Sequence, residues 1–199
     1  MARKTAITKN LPLVVIADAY KNITNLLSNE KHPMIDILKI NVFEGSFIAE
    51  IPPLDDSDTL KRNEHVISIG NIFSERFSQY LQYLIMTDGG KPAWCFDLKN
   101  KRYWYFVLPK IKVVNPIGCG DTCTSVLSSI LSQMRNTDGK EVREKLKFND
   151  DTPDVVIGLK WGLAAASAKT LTLTGGDFDE KVILQLFDQI KMSEEMKMH

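Results

Sequence analysis

The chain has 199 residues, of which 44% are hydrophobic and 25% charged, a balance typical of one soluble domain with a real core. Basic and acidic residues number 25 each, which excludes a broad positive surface for nucleic acid or an anionic membrane. No run approaches the roughly 18 apolar residues of a membrane span, and the first residues lack the apolar core of a signal peptide. We therefore expect a cytoplasmic protein with neither a nucleic-acid nor a membrane partner.

The first predicted elements alternate between strands and a helix. Residues 13–17 form a short apolar, β-branched run that predicts a buried strand. Residues 20–27 have helical apolar spacing, and residues 35–40 predict a second strand that leads into Asn41 and Glu44. The chain therefore opens in a β-α-β pattern.

A polar segment interrupts this pattern. Residues 52–64 contain a cluster of aspartates and predict a surface loop by composition. Residues 72–80 then predict a helix, residues 83–87 a strand, and residues 88–92 a turn that contains two glycines and a proline. The pattern after the loop is again that of helix and strand in alternation.

The middle of the chain predicts a β-hairpin. Residues 93–96 and 103–107 are rich in aromatic residues and flank a turn. Residues 111–114 predict a further strand, followed by a glycine-containing turn. Residues 121–134 continue without a helix breaker and predict a buried helix.

The last third of the chain is predicted to be mainly helical. Residues 135–154 are polar and predict a second surface loop. Residues 155–169 predict an alanine-rich helix and residues 181–191 an amphipathic terminal helix. We expect residues 1–199 to form a single α/β domain with a largely parallel sheet between helices.

The turn Gly118-Cys119-Gly120-Asp121 carries the strongest chemical signal. Two glycines before a helix let the backbone take positive φ and leave amide N–H groups uncovered. The helix dipole adds to the attraction, so the sequence predicts an anion cradle that could hold a phosphoryl group. The lysine of a Walker-type phosphate loop is absent, so a P-loop is excluded.

Asp121 has two interpretations from its position alone. A carboxylate beside an anion cradle can accept the proton of an attacking hydroxyl group. Aspartate also often caps the start of a helix, and the spacing alone leaves both roles open. The three cysteines, Cys95, Cys119 and Cys123, lack the paired spacing of a zinc site and predict no disulfide framework.

Residues 114–122 resemble the C-terminal signature of the PfkB (ribokinase-like) carbohydrate kinase family. Asn41 and Glu44 are similar to the family's N-x-x-E element, and residues 87–92 are similar to its glycine turn over the ATP phosphates. The alanine-rich helix lies where the family places a helix against adenine. The four elements occur in the family's order.

This resemblance implies a ribokinase-like three-layer α/β/α sandwich and an ATP-dependent kinase acting on an alcohol group of a sugar or sugar phosphate. It implies Asp121 as the catalytic base and Gly118, Cys119 and Gly120 as the anion hole. The ATP-binding residues that it implies are Asn41, Glu44, Thr87, Gly89, Gly90 and Ala164. Mg²⁺ would arrive with ATP near Asn41 and Glu44, without dedicated protein ligands.

Two departures from the family pattern qualify this assignment. Asn115-Pro116 replaces the usual Asp-Thr, which is closer to the tagatose-6-phosphate kinase and 1-phosphofructokinase branch and argues against a monovalent-cation site. Pro92 replaces a glycine of the ATP turn and removes one amide donor. The resemblance therefore favours a sugar phosphate acceptor but does not identify it.

The family's N-terminal substrate-binding and lid region has no counterpart in the sequence. We therefore expect a truncated form with weak or absent activity on its own, and uncovered apolar surface that favours a homo-oligomer. The alternative is a catalytically silent nucleotide-binding or regulatory subunit. A third interpretation, an NAD-dependent enzyme, is weak because no GxGxxG follows the first strand.

Overall fold

The computed structural model describes residues 14–19, 21–27, 35–54, 58–136, 143, 148–149, 151–173, 179–193 and 196–198. The chain divides into two compact units. The first consists of Met1–Gly89, Ala93–Tyr103 and Glu195–His199, and the second of Gly90–Pro92 and Trp104–Glu194.

The first unit contains a mixed sheet. Its strands are β1 (Ile16–Ala17), β2 (Ile37–Asn41), β3 (Tyr83–Thr87), β4 (Ala93–Asp97), the start of β5 (Arg102–Val107) and β7 (Met196–Lys197). Strands β1, β2 and β3 are parallel, and β4 runs antiparallel to β3. Strand β7 pairs antiparallel with the first two residues of β5. The parallel part of the predicted sheet therefore lies in β1 to β3.

Three helices among the described residues of this unit are α1 (Ile23–Leu27), α2 (Val42–Ala49) and α3 (Thr59–Phe77). Helix α3 buries Val66, Ile69 and Phe73, which are spaced three and four residues apart and face one side. The amide of Leu60 donates to Asp58 Oδ1 at 2.8 Å, so Asp58 caps α3.

The start of α3 corrects the predicted loop at residues 52–64. Residues 59–64 are helical, and the helix predicted for residues 72–80 begins thirteen residues earlier, at Thr59. The polar composition was misleading because Lys61 and Glu64 lie on the exposed side of an amphipathic helix.

The second unit is built mainly from helices α4 (Cys119–Asn136), α5 (Asp154–Thr170) and α6 (Glu180–Gln189). Helix α5 is buried over most of its circumference, as its alanine-rich sequence predicts. A Cβ atom at Gly162 would lie 2.6 Å from the backbone oxygen of Cys123. Glycine at this position therefore lets α5 approach the backbone of α4.

The ends of several predicted elements differ from the structure. Residues 111–114 are not a strand, because the amides of Val114 and Asn115 donate to the carbonyl oxygen of Thr170 at 2.7 and 3.1 Å. Helix α6 ends at Gln189 rather than at residue 191, since β6 (Lys191–Met192) pairs antiparallel with the end of β5.

The predicted α/β class is confirmed, and so are the strand at residues 83–87 and the hairpin that follows it. Much of the predicted loop at residues 135–154 lies outside the described residues, but α4 extends to Asn136 and α5 begins at Asp154. In the part of the chain that the structure describes, no helix is long and apolar enough to span a membrane.

Candidate functional site

The glycine turn in the second unit depends on one residue with a left-handed backbone. Gly118 has a φ of 81°, which favours glycine over any residue with a Cβ atom. Its carbonyl oxygen accepts hydrogen bonds from both the amide and the hydroxyl group of Thr122, each at 2.9 Å. Thr122 therefore fixes the turn to the first turn of α4.

The start of α4 presents amide groups that the described structure does not use. The amides of Gly120 and Asp121 have no acceptor among the described residues, while the amide of Cys119 donates to Pro116 at 3.4 Å. Unpaired amides at a helix N-terminus, together with the helix dipole, favour an anion. Of the predicted anion hole, Gly120 therefore offers a freer donor than Cys119.

Asp121 lies in this same first turn with an exposed side chain. Its carboxylate forms no hydrogen bond or ion pair with any other described residue. A capping aspartate would accept a hydrogen bond from an amide of the first turn, so the capping interpretation has no contact to support it. The carboxylate is free to accept a proton from a bound molecule.

A lysine that the sequence reasoning did not select lies close to this turn. Lys169 is only 1% exposed, and its Nζ has no hydrogen-bond partner in the described part of the chain. Burial raises the pKa of the Cys119 thiol, and the positive charge of Lys169 acts in the opposite direction and lowers it. The sequence signal that could have identified Lys169 is a lysine at the end of a run rich in alanine.

Two of the predicted ATP-binding residues in the first unit are neighbours. Asn41 and Thr87 are register partners at the carboxyl ends of β2 and β3. Side chains at the carboxyl ends of adjacent parallel strands are typical of ligand sites in α/β proteins. The structure therefore brings Asn41 and Thr87 to one edge of the sheet.

Asn41 and Glu44 form a capping box at the start of α2. Asn41 Oδ1 accepts from the Glu44 amide at 2.8 Å, and Glu44 Oε2 accepts from the Asn41 amide at 2.9 Å. Each side chain thus has a structural role that N-x-x-E spacing also predicts. The second oxygen of Glu44 accepts no hydrogen bond from another described residue.

The turn after β3 is held by an ion pair that sequence reasoning also missed. Arg62 on α3 is 8% exposed and pairs with Asp88, which follows directly after Thr87. Gly89 in the same turn has a φ of 58° and is exposed, with open space where a Cβ would lie. This part of the predicted phosphate turn therefore has accessible backbone.

The remaining two predicted ATP residues lie in the second unit. Gly90 is exposed. Ala164 is 0% exposed within α5 and offers no surface to a nucleotide. Ala164 is therefore better explained by helix packing and is not part of the proposed site.

The donor set in each unit suits part of a magnesium nucleotide. Mg²⁺ usually binds through one or two carboxylates together with substrate phosphates, rather than in a full protein cage. Glu44 retains an oxygen for such a role, and the unpaired amides of Gly120 and Asp121 suit a phosphate. No group of three or more candidate metal ligands occurs among the described residues.

Comparison with known protein families identifies the family whose sequence pattern this chain matches. The defining pattern of the pfkB family carbohydrate kinases matches residues 3–152, which is most of the chain. No curated protein sequence matches significantly.

Solved structures match the fold of the chain. A putative phosphofructokinase from Staphylococcus aureus is 18% identical, with a TM-score of 0.64 over 97% of this chain and 51% of its own length. Ribokinase from Giardia lamblia is 14% identical, with a TM-score of 0.64 over 94% of this chain and 53% of its own. Phosphofructokinase-2 from Escherichia coli in complex with substrates and products is 16% identical, with a TM-score of 0.59 over 93% and 50%. The chain thus spans about half the length of these structures and shares their fold.

Proposed function

This chain belongs to the pfkB family of carbohydrate kinases, and we propose that it transfers the γ-phosphoryl group of ATP to an alcohol group of a sugar or sugar phosphate. The observation that carries this proposal is the turn before α4. There, unpaired amides of Gly120 and Asp121 adjoin an exposed carboxylate that has no partner among the described residues. An anion donor site and a proton acceptor in one turn are the two elements that phosphoryl transfer to a hydroxyl requires.

The turn would act on the phosphoryl group through fixed dipoles. The amides of Gly118, Cys119 and Gly120 were predicted to form the anion hole. Of the last two, the Gly120 amide has no acceptor among the described residues, whereas the Cys119 amide donates to Pro116. Donors that are already oriented stabilise developing negative charge without reorganisation during the reaction. Bound Mg²⁺ would neutralise charge on the ATP phosphates.

Asp121 would take the proton of the acceptor hydroxyl as the phosphoryl group leaves ATP. The carboxylate is exposed, so it can reach a molecule placed beside the turn. The carboxylate lies in the first turn of α4, where the positive end of the helix dipole favours negative charge. Its role is therefore chemical rather than structural in this proposal.

Asn41, Glu44 and Thr87, with Gly89 and Gly90, are proposed to contact the nucleotide and its Mg²⁺. Support comes from the placement of Asn41 and Thr87 side by side and from the accessible backbone at Gly89. The free oxygen of Glu44 suits a metal-bound water or the ion itself. A sugar phosphate acceptor is favoured by Asn115-Pro116, as the resemblance to the family implies.

The substitution Asp121→Asn tests the kinase proposal. We expect turnover to fall by a factor of about 10² to 10⁴, because a positioned general base contributes this much. The melting temperature should change little, since the carboxylate has no partner among the described residues and a charge at a helix start contributes only about 0.3–1 kcal/mol. The measurement is phosphate transfer from radiolabelled ATP to a panel of sugars and sugar phosphates. Glu180→Gln, an exposed acid in the first turn of α6, is the matched control.

A catalytically silent nucleotide-binding subunit is the second candidate. It agrees with the capping box, which accounts for Asn41 and Glu44 through the fold alone, so that these two residues do not by themselves indicate phosphoryl transfer. ATP binding with no transfer to any acceptor, and with equal affinity in wild type and Asp121→Asn, would support this second function against the first.

We also propose that the protein forms a homo-oligomer. Phe43 and Phe47 lie four residues apart on α2 and are 63% and 68% exposed. Two exposed aromatic rings on one helix face are unusual for a monomer's surface and typical of contact sites. Sedimentation velocity should show a larger species that Phe47→Ser shifts towards monomer.

A further inference from the structure

Lys169 is a buried cation without a compensating group among the described residues. It lies in the last turn of α5, is 1% exposed, and has no hydrogen bond or ion pair with any other described residue. Removing an ammonium group from water is costly unless an anion or several acceptors compensate. The dipole at the C-terminal end of a helix returns only a small part of this cost. The contacts of the described residues therefore leave most of it uncompensated.

The end of α5 is fixed against the segment that leads into the glycine turn. The carbonyl oxygen of Thr170 accepts the amides of Val114 and Asn115 at 2.7 and 3.1 Å, and Asn115 Nδ2 donates to Leu173 O at 3.1 Å. Because Lys169 directly precedes Thr170 in the chain, these three hydrogen bonds place it next to the segment that enters the turn.

The first turns of α4 also lie against α5. Gly162 brings α5 so close to Cys123 that a Cβ would lie 2.6 Å from its carbonyl oxygen. The positive charge of Lys169 acts to lower the pKa of the thiol of Cys119, the first residue of α4. The buried ammonium and the unpaired amides of Gly120 and Asp121 therefore lie at the same end of α4.

We propose that the Lys169 ammonium group is the counter-cation of an anion bound on the Gly120 and Asp121 amides, and that this anion is a phosphoryl group. The inference that the anion is the transferred phosphoryl rests on the proposed kinase function. Anion binding itself does not, because the cation and the amides, which have no partners among the described residues, favour a negative ligand whatever reaction follows. Lys169 acts by positioning and charge, and no covalent step involves it.

The test uses the full chain and inorganic phosphate as the probe. Cys119 is half-buried while Cys95 and Cys123 are buried, so iodoacetamide should react first at Cys119, as mass spectrometry can verify. Phosphate bound at the turn should slow this alkylation in the wild type. Phosphate affinity can be obtained from the concentration that gives half protection.

Lys169→Met removes the charge and keeps a long apolar side chain. We expect phosphate affinity to fall about 10- to 100-fold, the equivalent of one charge-assisted hydrogen bond. The phosphate-free variant should melt at or above the wild-type temperature, because an unpaired buried charge has been removed. Lys160→Met is the matched control, since Lys160 lies on the same helix with its Nζ 4.3 Å from the Phe187 ring centroid.

Weaker phosphate protection in Lys169→Met, with Lys160→Met unchanged, would support the proposal. Equal phosphate affinity in wild type and Lys169→Met would overturn it. If Lys169→Met does not fold, Lys169→Gln, which also removes the charge, replaces it in the same comparison. Absence of any phosphate protection at Cys119 in the wild type overturns the proposal in either case. Weaker phosphate protection in Lys169→Met, in a protein that transfers phosphate to no acceptor, would support the anion site and count against its use in phosphoryl transfer by this chain.

Discussion

The glycine turn before α4 and the capping box at the start of α2 are both helix N-termini, but they use their polar groups differently. At α2, Asn41 and Glu44 satisfy each other's amides at 2.8 and 2.9 Å. At α4, the amides of Gly120 and Asp121 have no acceptor among the described residues. One helix start is closed by its own side chains, and the other is open.

This difference separates stability from ligand binding. A closed N-terminus contributes to folding and leaves only the second oxygen of Glu44 for a ligand, whereas an open one sacrifices some stability and keeps donors for an anion. Loss of the cap at the closed end should therefore lower the melting temperature, and loss of the polar groups at the open end should mainly weaken binding and turnover. The following substitutions test this separation, from the largest expected effect to the smallest.

Gly162→Ala should destabilise the second unit by about 1–3 kcal/mol, the usual cost of overpacking. The new Cβ would meet the backbone oxygen of Cys123 at 2.6 Å, which no side-chain rotation can relieve. Chemical denaturation measures the change. Gly158→Ala is the control on the same helix, where the Cβ would meet the movable Leu127 side chain at 2.8 Å. An equal loss in both variants would contradict the close backbone approach beneath the open turn.

Gly118→Ala should cost about 1–2 kcal/mol, because a residue with a Cβ resists the left-handed conformation. Space is not the obstacle, since a Cβ at Gly118 would have no atom within 4 Å. Phosphate binding should weaken as the turn relaxes. Gly90→Ala, which also has open space but no positive φ, should leave the free energy of unfolding unchanged.

Asn41→Ala should destabilise the protein by about 1 kcal/mol, the typical cost of losing an N-cap. A lower midpoint in thermal or urea unfolding is the expected readout. Glu44→Gln keeps a side-chain oxygen for the box and should be nearly neutral in stability. If Glu44→Gln instead lowers turnover with an unchanged midpoint, Glu44 has a ligand role beyond the cap.

The smallest expected effect is a pH dependence at His65, behind the closed helix start. Burial lowers the pKa of His65 below its ordinary value of 6.5, and the nearby Arg62 charge adds to this. The unfolded chain thus binds a proton more readily, so stability contributed by neutral His65 is complete above pH 6.5 and is lost as pH falls below it. Melting from about pH 8 to about pH 5 should show a smaller decline in His65→Gln than in wild type.

Local chain chemistry predicted some elements well. The strand at residues 83–87 and the hairpin after it were predicted because apolar runs alternate with strong turn residues there. Helix α3 was missed over its first half, because its polar face dominates the composition near Lys61 and Glu64. Residues 111–114 have strand-like side chains, but their amides pair with the end of a helix.

The candidate site was only partly readable from sequence. The order of Gly118, Gly120 and Asp121 predicted an anion cradle, and the open amides at Gly120 and Asp121 agree with that chemistry. Lys169 could not be placed beside it, because the contact joins segments that are far apart in the chain. The charge of Lys169 in an otherwise apolar helix gains its meaning only once its burial is known.

The two amides that bond to Thr170 make the stability of a helix end measurable at another place in the chain. Hydrogen exchange at Val114 and Asn115 requires their bonds to the Thr170 oxygen to break. Their deuterium uptake should therefore follow the fraying of the last turn of α5, although they are far from it in sequence. A ligand that reduces the fraying of this turn would be detected as slower deuterium uptake at both Val114 and Asn115, without a label or a substitution.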